Sequence, residues 1–175
     1  CGARLTAMVL FRAVLAGVAL EGPKARGLDR AAVLLHYAES SELVVHATRG
    51  YGPVLGKRIP MGRGITGSVA LSGKPALVND VRADERYVQG VVEGAAEMAV
   101  PMRVYGELFG VLDTESPVRG AFTEQDLELF KAFADQAAVA LHNARQFRRL
   151  ETANERLRKN VDEMSRLNAE LETYA

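Results

Sequence analysis

The chain has 175 residues, and its 22 Lys+Arg against 22 Asp+Glu leave a formal net charge of zero, which argues against a nucleic-acid binder with its basic stripe. With 48% hydrophobic and 25% charged residues the composition is that of an ordinary soluble domain. The single cysteine, Cys1, excludes an internal disulfide framework and any multi-cysteine metal site, and it fits a reducing cytoplasm. Because the first residue is Cys1 rather than Met, the expectation is a piece of a longer protein.

Ala3 to about Leu20 reads as a first helix. Its apolar run is interrupted by Arg12, ends at Gly22-Pro23, and falls short of the about 20 residues needed to cross a bilayer, so no membrane contact is expected. Ala31–Tyr37 and Leu43–Thr48 read as strands joined by the polar connection Glu39-Ser40-Ser41-Glu42. Val54–Ile59 reads as a third strand closed by Pro60. Ile65–Leu71 reads as a short helix ended by Ser72-Gly73-Lys74-Pro75, and Ala76–Val78 as a short strand. Val81–Ala95 has mixed polarity and suits a loop with short helical turns. Glu97–Tyr105 and Glu107–Asp113 form the clearest hairpin, turning at Tyr105-Gly106.

Thr123-Glu124-Gln125-Asp126 has the spacing of a capping box, and Leu127, Phe130, Phe133 and Ala137 then form an apolar stripe at helical period. Past Asn143 the period tightens to seven. Leu150, Leu157, Met164 and Leu171 suit position d; Phe147, Asn154, Val161 and Asn168 suit position a. A strict heptad implies a supercoil with a partner helix, and asparagine at a favours a single register, so a parallel homodimeric coil is expected. The order of elements predicts an α+β domain over residues 3–147, a central antiparallel sheet of five or six strands with the terminal helices packed on one face. Residues 148–175 are then a coiled-coil signalling helix.

Gly62-Arg63-Gly64-Ile65-Thr66-Gly67 matches the dinucleotide pattern G-x-G-x-x-G. The helix it opens is too short for a parallel crossover, and the strand before it carries Lys57, Arg58 and Pro60, so the glycines are read as a tight strand-to-helix turn. His36 and His46 fall on adjacent strands and His142 on the long helix. None has a carboxylate or cysteine spaced to complete a metal site, nor a partner for nucleophilic catalysis. In the polar run Asn79–Tyr87, Asp80 and Tyr87 are the better candidates for facing a ligand, and Asp84 and Glu85 for closing turns.

Gly64-Ile65-Thr66-Gly67-Ser68-Val69-Ala70, Gly73-Lys74-Pro75 and Val78-Asn79-Asp80-Val81 together resemble the middle of GAF domains. So do Ala99-Val100-Pro101-Met102, Gly110-Val111-Leu112 and Phe122-Thr123-Glu124-Gln125-Asp126 with the alanine-rich helix after it. The resemblance runs from about Arg4 to Phe147. It implies a small-molecule pocket roofed by loops on the sheet face away from the helices, with His36, Ile65, Asn79, Asp80, Tyr87, Met98, Val100 and Asp113 expected to face it. Relatives that attach a bilin or reduce free methionine sulfoxide do so through cysteines in the domain, and none follows Cys1 here. Neither activity, nor a bilin or metal, is therefore expected, and the ligand is left unnamed. The segment Leu167–Ala175 resembles the stretch before the phosphoacceptor helix of sensor histidine kinases. The resulting expectation is a non-catalytic cytoplasmic sensor that signals through its coil to a histidine kinase output in cis. A diguanylate cyclase output, or a dimerisation spacer without ligand, are the alternatives.

Overall fold

The computed structural model describes residues 30–88 and 94–173. Cys1 and the helix expected over Ala3–Leu20 lie outside them. Strands β1 (Arg30–Tyr37), β2 (Glu42–Arg49), β3 (Arg58–Pro60), β4 (Ala76–Val78), β5 (Ala96–Val104) and β6 (Glu107–Ser116) form one sheet in the order β3-β2-β1-β6-β5-β4. Every neighbouring pair is antiparallel. Helix α1 (Gly64–Ser72) links β3 to β4, a 3-10 turn at Val81–Ala83 follows β4, and helix α2 (Glu124–Thr173) comes after β6. The class is α+β, as the element order predicts.

The β5–β6 hairpin turns where expected. Tyr105 and Gly106 have φ of 50° and 82°, the paired left-handed conformations that match a two-residue turn to strand twist. The G-x-G-x-x-G run also serves the turn read from its context. Gly62 and Gly64 sit at φ 83° and 71°, while a Cβ on Gly67 would lie 2.7 Å from the Pro60 carbonyl oxygen. An antiparallel sheet offers no parallel crossover on which a dinucleotide fingerprint could be built.

Two strand boundaries differ from expectation. The third strand is confined to Arg58–Pro60, because Gly52 and Gly56 at φ 70° and 81° fold Val54–Lys57 into consecutive turns. Val54 N–H donates to Gly52 O at 2.9 Å, and Lys57 N–H to Val54 O at 3.0 Å. Conversely, β6 runs past Asp113 to Ser116. Its polar end is paired on both sides, with Arg30 opposite Glu115 on β1 and Ala96 opposite Ser116 on β5.

Side-chain alternation divides the core between the two faces of the sheet. One face carries Val33, Leu35, Met98, Val100, Met102 and Leu112 against Leu127, Phe130, Ala134, Ala137, Ala138 and Leu141 of α2. Thr123 starts that helix with the capping box. Its hydroxyl accepts from Asp126 N–H at 3.2 Å, and its own N–H donates to the Asp126 carboxylate at 2.7 Å. The other face carries Ala32, Leu34, Val45, Ala99 and Val111 against Ile65, Val69 and Ala70 of α1, with Tyr51 and Val81. The central strands β1 and β6 approach closely at Gly110, where any Cβ would overlap the Leu34 carbonyl oxygen.

Residues 142–175 form a second unit, helical as far as Thr173. Within it Phe147, Leu150, Leu157, Val161, Met164 and Leu167 are all exposed. The side chains of Asn168 and Leu171 lie outside the described residues.

Candidate functional site

The face of the sheet that carries α1 holds a cavity of about 200 Å³. Its apolar wall comes from Ala32, Leu34, Val45 and Ile65. Three carboxylates stand in it: Glu97 on β5, and Asp113 and Glu115 on β6. Strand geometry puts them together. Glu97 is directly opposite Glu115 in the β5–β6 ladder, and Asp113, two residues before Glu115, shares its face. Opposed side chains in such a ladder start about 5 Å apart, and like charges there repel.

The cluster is held from several directions. Tyr51, buried in the loop after β2, donates its hydroxyl to Asp113 Oδ2 at 2.8 Å. Thr66, in the first turn of α1, donates to Glu97 Oε1 at 3.2 Å. Arg30 approaches Glu115 at 4.0 Å, at the limit of an ion pair. Asp113 Oδ1 is buried with no hydrogen-bonding N–H among the described residues, and the Asp113 carboxyl also interacts with the Glu97 carboxyl beside it.

Burial in an apolar surround disfavours ionisation, and each charge raises the cost of the next. Desolvation, then the neighbouring Asp113 and Glu115 charges, push the Glu97 carboxyl well above the carboxylate range. Glu115 is raised to about 8 by desolvation and by Asp113, against the pull of Arg30. Asp113 is raised to about 6 by desolvation, which outweighs its bonds to Tyr51 and Glu97. The Tyr51 hydroxyl is raised well above its usual value by burial and the Asp113 charge, so it stays a donor. The shifts all favour the neutral carboxyl, holding Glu97 and Glu115 toward the protonated acid beside Asp113, which is raised to about 6. A neutral acid in a dry site donates a hydrogen bond, and can give up a proton, to a strongly accepting oxygen.

The exposed edge of the cavity has the opposite sign: Lys57, Arg58 and Arg63 all line it. Arg58 is engaged by Glu42 at 2.8 Å. Among the described residues no group of His, Cys, Asp and Glu is arranged to hold a metal ion, and no cysteine lines the cavity.

Of the residues expected at the pocket, Ile65 and Asp113 line this cavity. Met98 and Val100 project to the opposite face, into the core against α2, because they are one residue out of phase with Glu97 and Ala99. Asn79 ties β4 to the start of α2, its amide donating to Phe122 O at 2.9 Å and accepting Phe122 N–H at 3.2 Å. Asp80 caps the 3-10 turn through Arg82 N–H and pairs with Arg119 at 3.2 Å. Tyr87 packs against the cavity-face core. His36 lies at the far end of β1, with Nδ1 3.4 Å from Leu108 O. The sequence reading missed Glu97, Glu115, Tyr51 and Thr66. The legible signal was Glu97, Asp113 and Glu115 at alternate positions of strands, where acidic residues are depleted.

Residues 11–141 match the GAF domain family. The chain belongs to that family. Among curated proteins, Protein YtsP of Bacillus subtilis is 34% identical over 59% of this GAF chain and 62% of its own length. The free methionine-R-sulfoxide reductase of Escherichia coli is 33% identical over 43% of this chain and 48% of its own. The matches thus span about half to three-fifths of these relatives' lengths. Among solved structures, the free methionine-R-sulfoxide reductase of Neisseria meningitidis in complex with its substrate superposes with TM-score 0.65 at 27% identity, covering 83% of this chain and 93% of that one.

These findings correct the function expected from sequence. A non-catalytic sensor coupled to a histidine kinase, with the alternatives of a cyclase regulator or an empty spacer, is contradicted: the relatives and structural neighbours include free methionine-R-sulfoxide reductases. The expectation rested on missing pocket cysteines and on a short coil-like segment, and neither weighed the acidic cluster. No described helix is long and apolar enough to cross a membrane.

Proposed function

We propose that this GAF domain binds free methionine-R-sulfoxide, or a close sulfoxide analogue, in the acid-lined cavity and supports its reduction by thiols. The observation that carries this reading is the Glu97–Asp113–Glu115 cluster, which lines one cavity with Ile65, with Glu97 and Asp113 buried and the carboxyls of Glu97 and Glu115 pushed toward the neutral form. A sulfoxide oxygen is a strong acceptor that must leave as water. Glu97 and Glu115 are placed to donate to it, and Asp113, oriented by Tyr51, keeps the Glu97 proton in position. A cavity of about 200 Å³ suits a ligand below the drug-sized range of roughly 300–1,000 Å³.

The reaction consumes two thiols. The S–O bond breaks, sulfur gains two electrons, the oxygen departs with two protons as water, and the thiols close into a disulfide. The cluster supplies protons, and the electrons come from thiols outside the described residues: Cys1, an external dithiol, or one of each. The test is methionine formation from methionine-R-sulfoxide by the whole chain with excess dithiothreitol. Expected are stereoselective turnover and its loss in Glu97→Gln, with Cys1→Ser reporting whether that thiol takes part. Absence of both turnover and binding would reject the proposal.

We also infer that residues 142–173 pair with a second copy in parallel. The exposed Phe147, Leu150, Leu157, Val161 and Met164 recur at a and d positions, and Asn154 at a meets its own counterpart only when the helices run parallel. Sedimentation of the whole chain should give a dimer, and Leu150→Glu with Leu157→Glu a monomer; a wild-type monomer at micromolar concentration would refute it.

A further inference from the structure

Two hydroxyls of α1, two residues apart, are used in different ways. Ser68 donates to Gly64 O at 2.7 Å, one turn back in its own helix, a common use of a helical hydroxyl. Thr66, in the first turn, instead leaves the helix and donates to Glu97 Oε1 on β5 at 3.2 Å, and both residues line the cavity. A neutral carboxylic acid has one hydroxyl oxygen and one carbonyl oxygen, and the carbonyl oxygen is the better acceptor. A donor fixed on Oε1 therefore favours the proton on Oε2. Tyr51 treats Asp113 in the same way, holding Oδ2 at 2.8 Å and leaving the buried Oδ1 to other partners. When Glu97 gives up its proton, the Thr66 bond becomes charge-assisted, and such bonds are roughly twice as strong as neutral ones. The bond is then stronger at the point of transfer than in the resting acid, which is the condition for it to speed the step. Desolvation, then the Asp113 and Glu115 charges, push the Glu97 carboxyl up, and the Thr66 bond pulls it back toward ionisation.

We propose that Thr66 is a positioning residue for the acid step: it holds Glu97 Oε1 so that the proton lies on Oε2, and it steadies the carboxylate once that proton has gone. This role rests on the sulfoxide reading above, and adds to it the atom that delivers the proton and a residue that tunes the delivery. In the step the Glu97 Oε2–H bond breaks, its electron pair stays on the carboxylate, and the proton joins the sulfoxide oxygen. The two electrons that reduce the sulfur come from the thiols, as above. Thr66 acts through Glu97 and is expected to change the chemical step rather than binding.

Thr66→Val keeps the size and branching of the side chain and removes the hydroxyl. In the whole chain with excess dithiothreitol it should lower kcat for methionine-R-sulfoxide on the order of tenfold and leave KM within about twofold. Thr66→Ser should restore most of kcat, and Ser68→Ala, which deletes the neighbouring hydroxyl, should leave both constants unchanged. Infrared spectra of the ligand-free chain give a readout that packing alone would not move. The carboxylic acid band of Glu97, identified by its loss in Glu97→Gln, should disappear at a higher pH in Thr66→Val than in the wild type, and at the wild-type pH in Thr66→Ser. Asp113, Glu115 and Arg86, whose charges interact with Glu97, are unchanged in these variants, so the displacement reports the Thr66 bond. An unchanged kcat in Thr66→Val, a Ser68→Ala protein as slow as Thr66→Val, or a band that disappears at the same or a lower pH overturns the proposal and leaves the sulfoxide reading standing. A wild type that neither binds nor reduces the sulfoxide refutes the sulfoxide reading itself, and the transfer from Oε2 falls with it.

Discussion

The two faces of the sheet are drawn from the same strands and could hardly differ more. On β5, Met98, Val100 and Met102 fill a dry apolar layer under α2, while Glu97, one residue before Met98, faces a cavity with two other acids. The contrast separates stability from function within a single strand: the α2 face is packed as a core, whereas the α1 face keeps space and carries groups that destabilise one another. A ladder that sets Glu97 opposite Glu115 is a cost to folding that a passive spacer has no reason to carry.

Substitutions on each face in turn should have separable effects. Glu97→Gln keeps a hydrogen-bond donor but removes the transferable proton, so kcat for sulfoxide reduction should fall by roughly 100- to 10,000-fold with KM little changed, and the folded protein should be at least as stable in denaturant titration. On the other face, Met98→Ala removes a side chain 1% exposed and should cost about 2–5 kcal/mol of stability while ligand affinity in the folded protein persists. If Met98→Ala spared stability and abolished binding, the assignment of the faces would be reversed.

Acidity gives a second, smaller separation. Glu115 and Asp113 are raised to about 8 and about 6 from 4.5 and 3.8, so the folded chain holds protons that the unfolded chain has already released. With more protons bound in the folded state, unfolding free energy falls as pH rises. The stabilising contribution is fully present below the unfolded values near 4 and is lost progressively up to about pH 8. Thermal unfolding of the ligand-free protein should show a melting temperature that declines across that window, and Glu115→Gln should flatten its upper part. The smallest expected effect is Thr123→Ala, which removes the hydroxyl that caps Asp126 N–H on the apolar side of the architecture. It should cost about 1 kcal/mol in the same unfolding assay and leave pocket chemistry untouched.

Much of the architecture was readable because local signals agreed with the global fold. Tyr105-Gly106 announced the hairpin, Thr123-x-x-Asp126 the start of α2, and the short helix after Gly62 argued against a nucleotide crossover. The site was harder to read. A one-residue change in phase decides whether a strand residue faces cavity or core, so Met98 and Val100 could be exchanged for Glu97 without disturbing the strand assignment. Ending β6 at Asp113 hid Glu115, because polar Asp113-Thr114-Glu115 looks like an exit from a strand until its partners on β1 and β5 are known. Tyr51 and Asp113, linked by a 2.8 Å hydrogen bond, are separated by 62 positions, and no local pattern could join them. Asn79 and Asp80 drew attention as polar residues after a strand, yet both are engaged in securing the start of α2 and the adjoining turn.

The most direct test of the acid face is turnover of methionine-R-sulfoxide by the whole 175-residue chain under excess dithiol, measured from about pH 5 to pH 9 beside Glu97→Gln. Expected are methionine from the wild type, a rate that falls as pH passes about 8, where Glu115 is held, and a loss of at least about 100-fold in the variant. A wild type that neither binds nor reduces the sulfoxide, or a Glu97→Gln protein that reduces it at the wild-type rate, would contradict it.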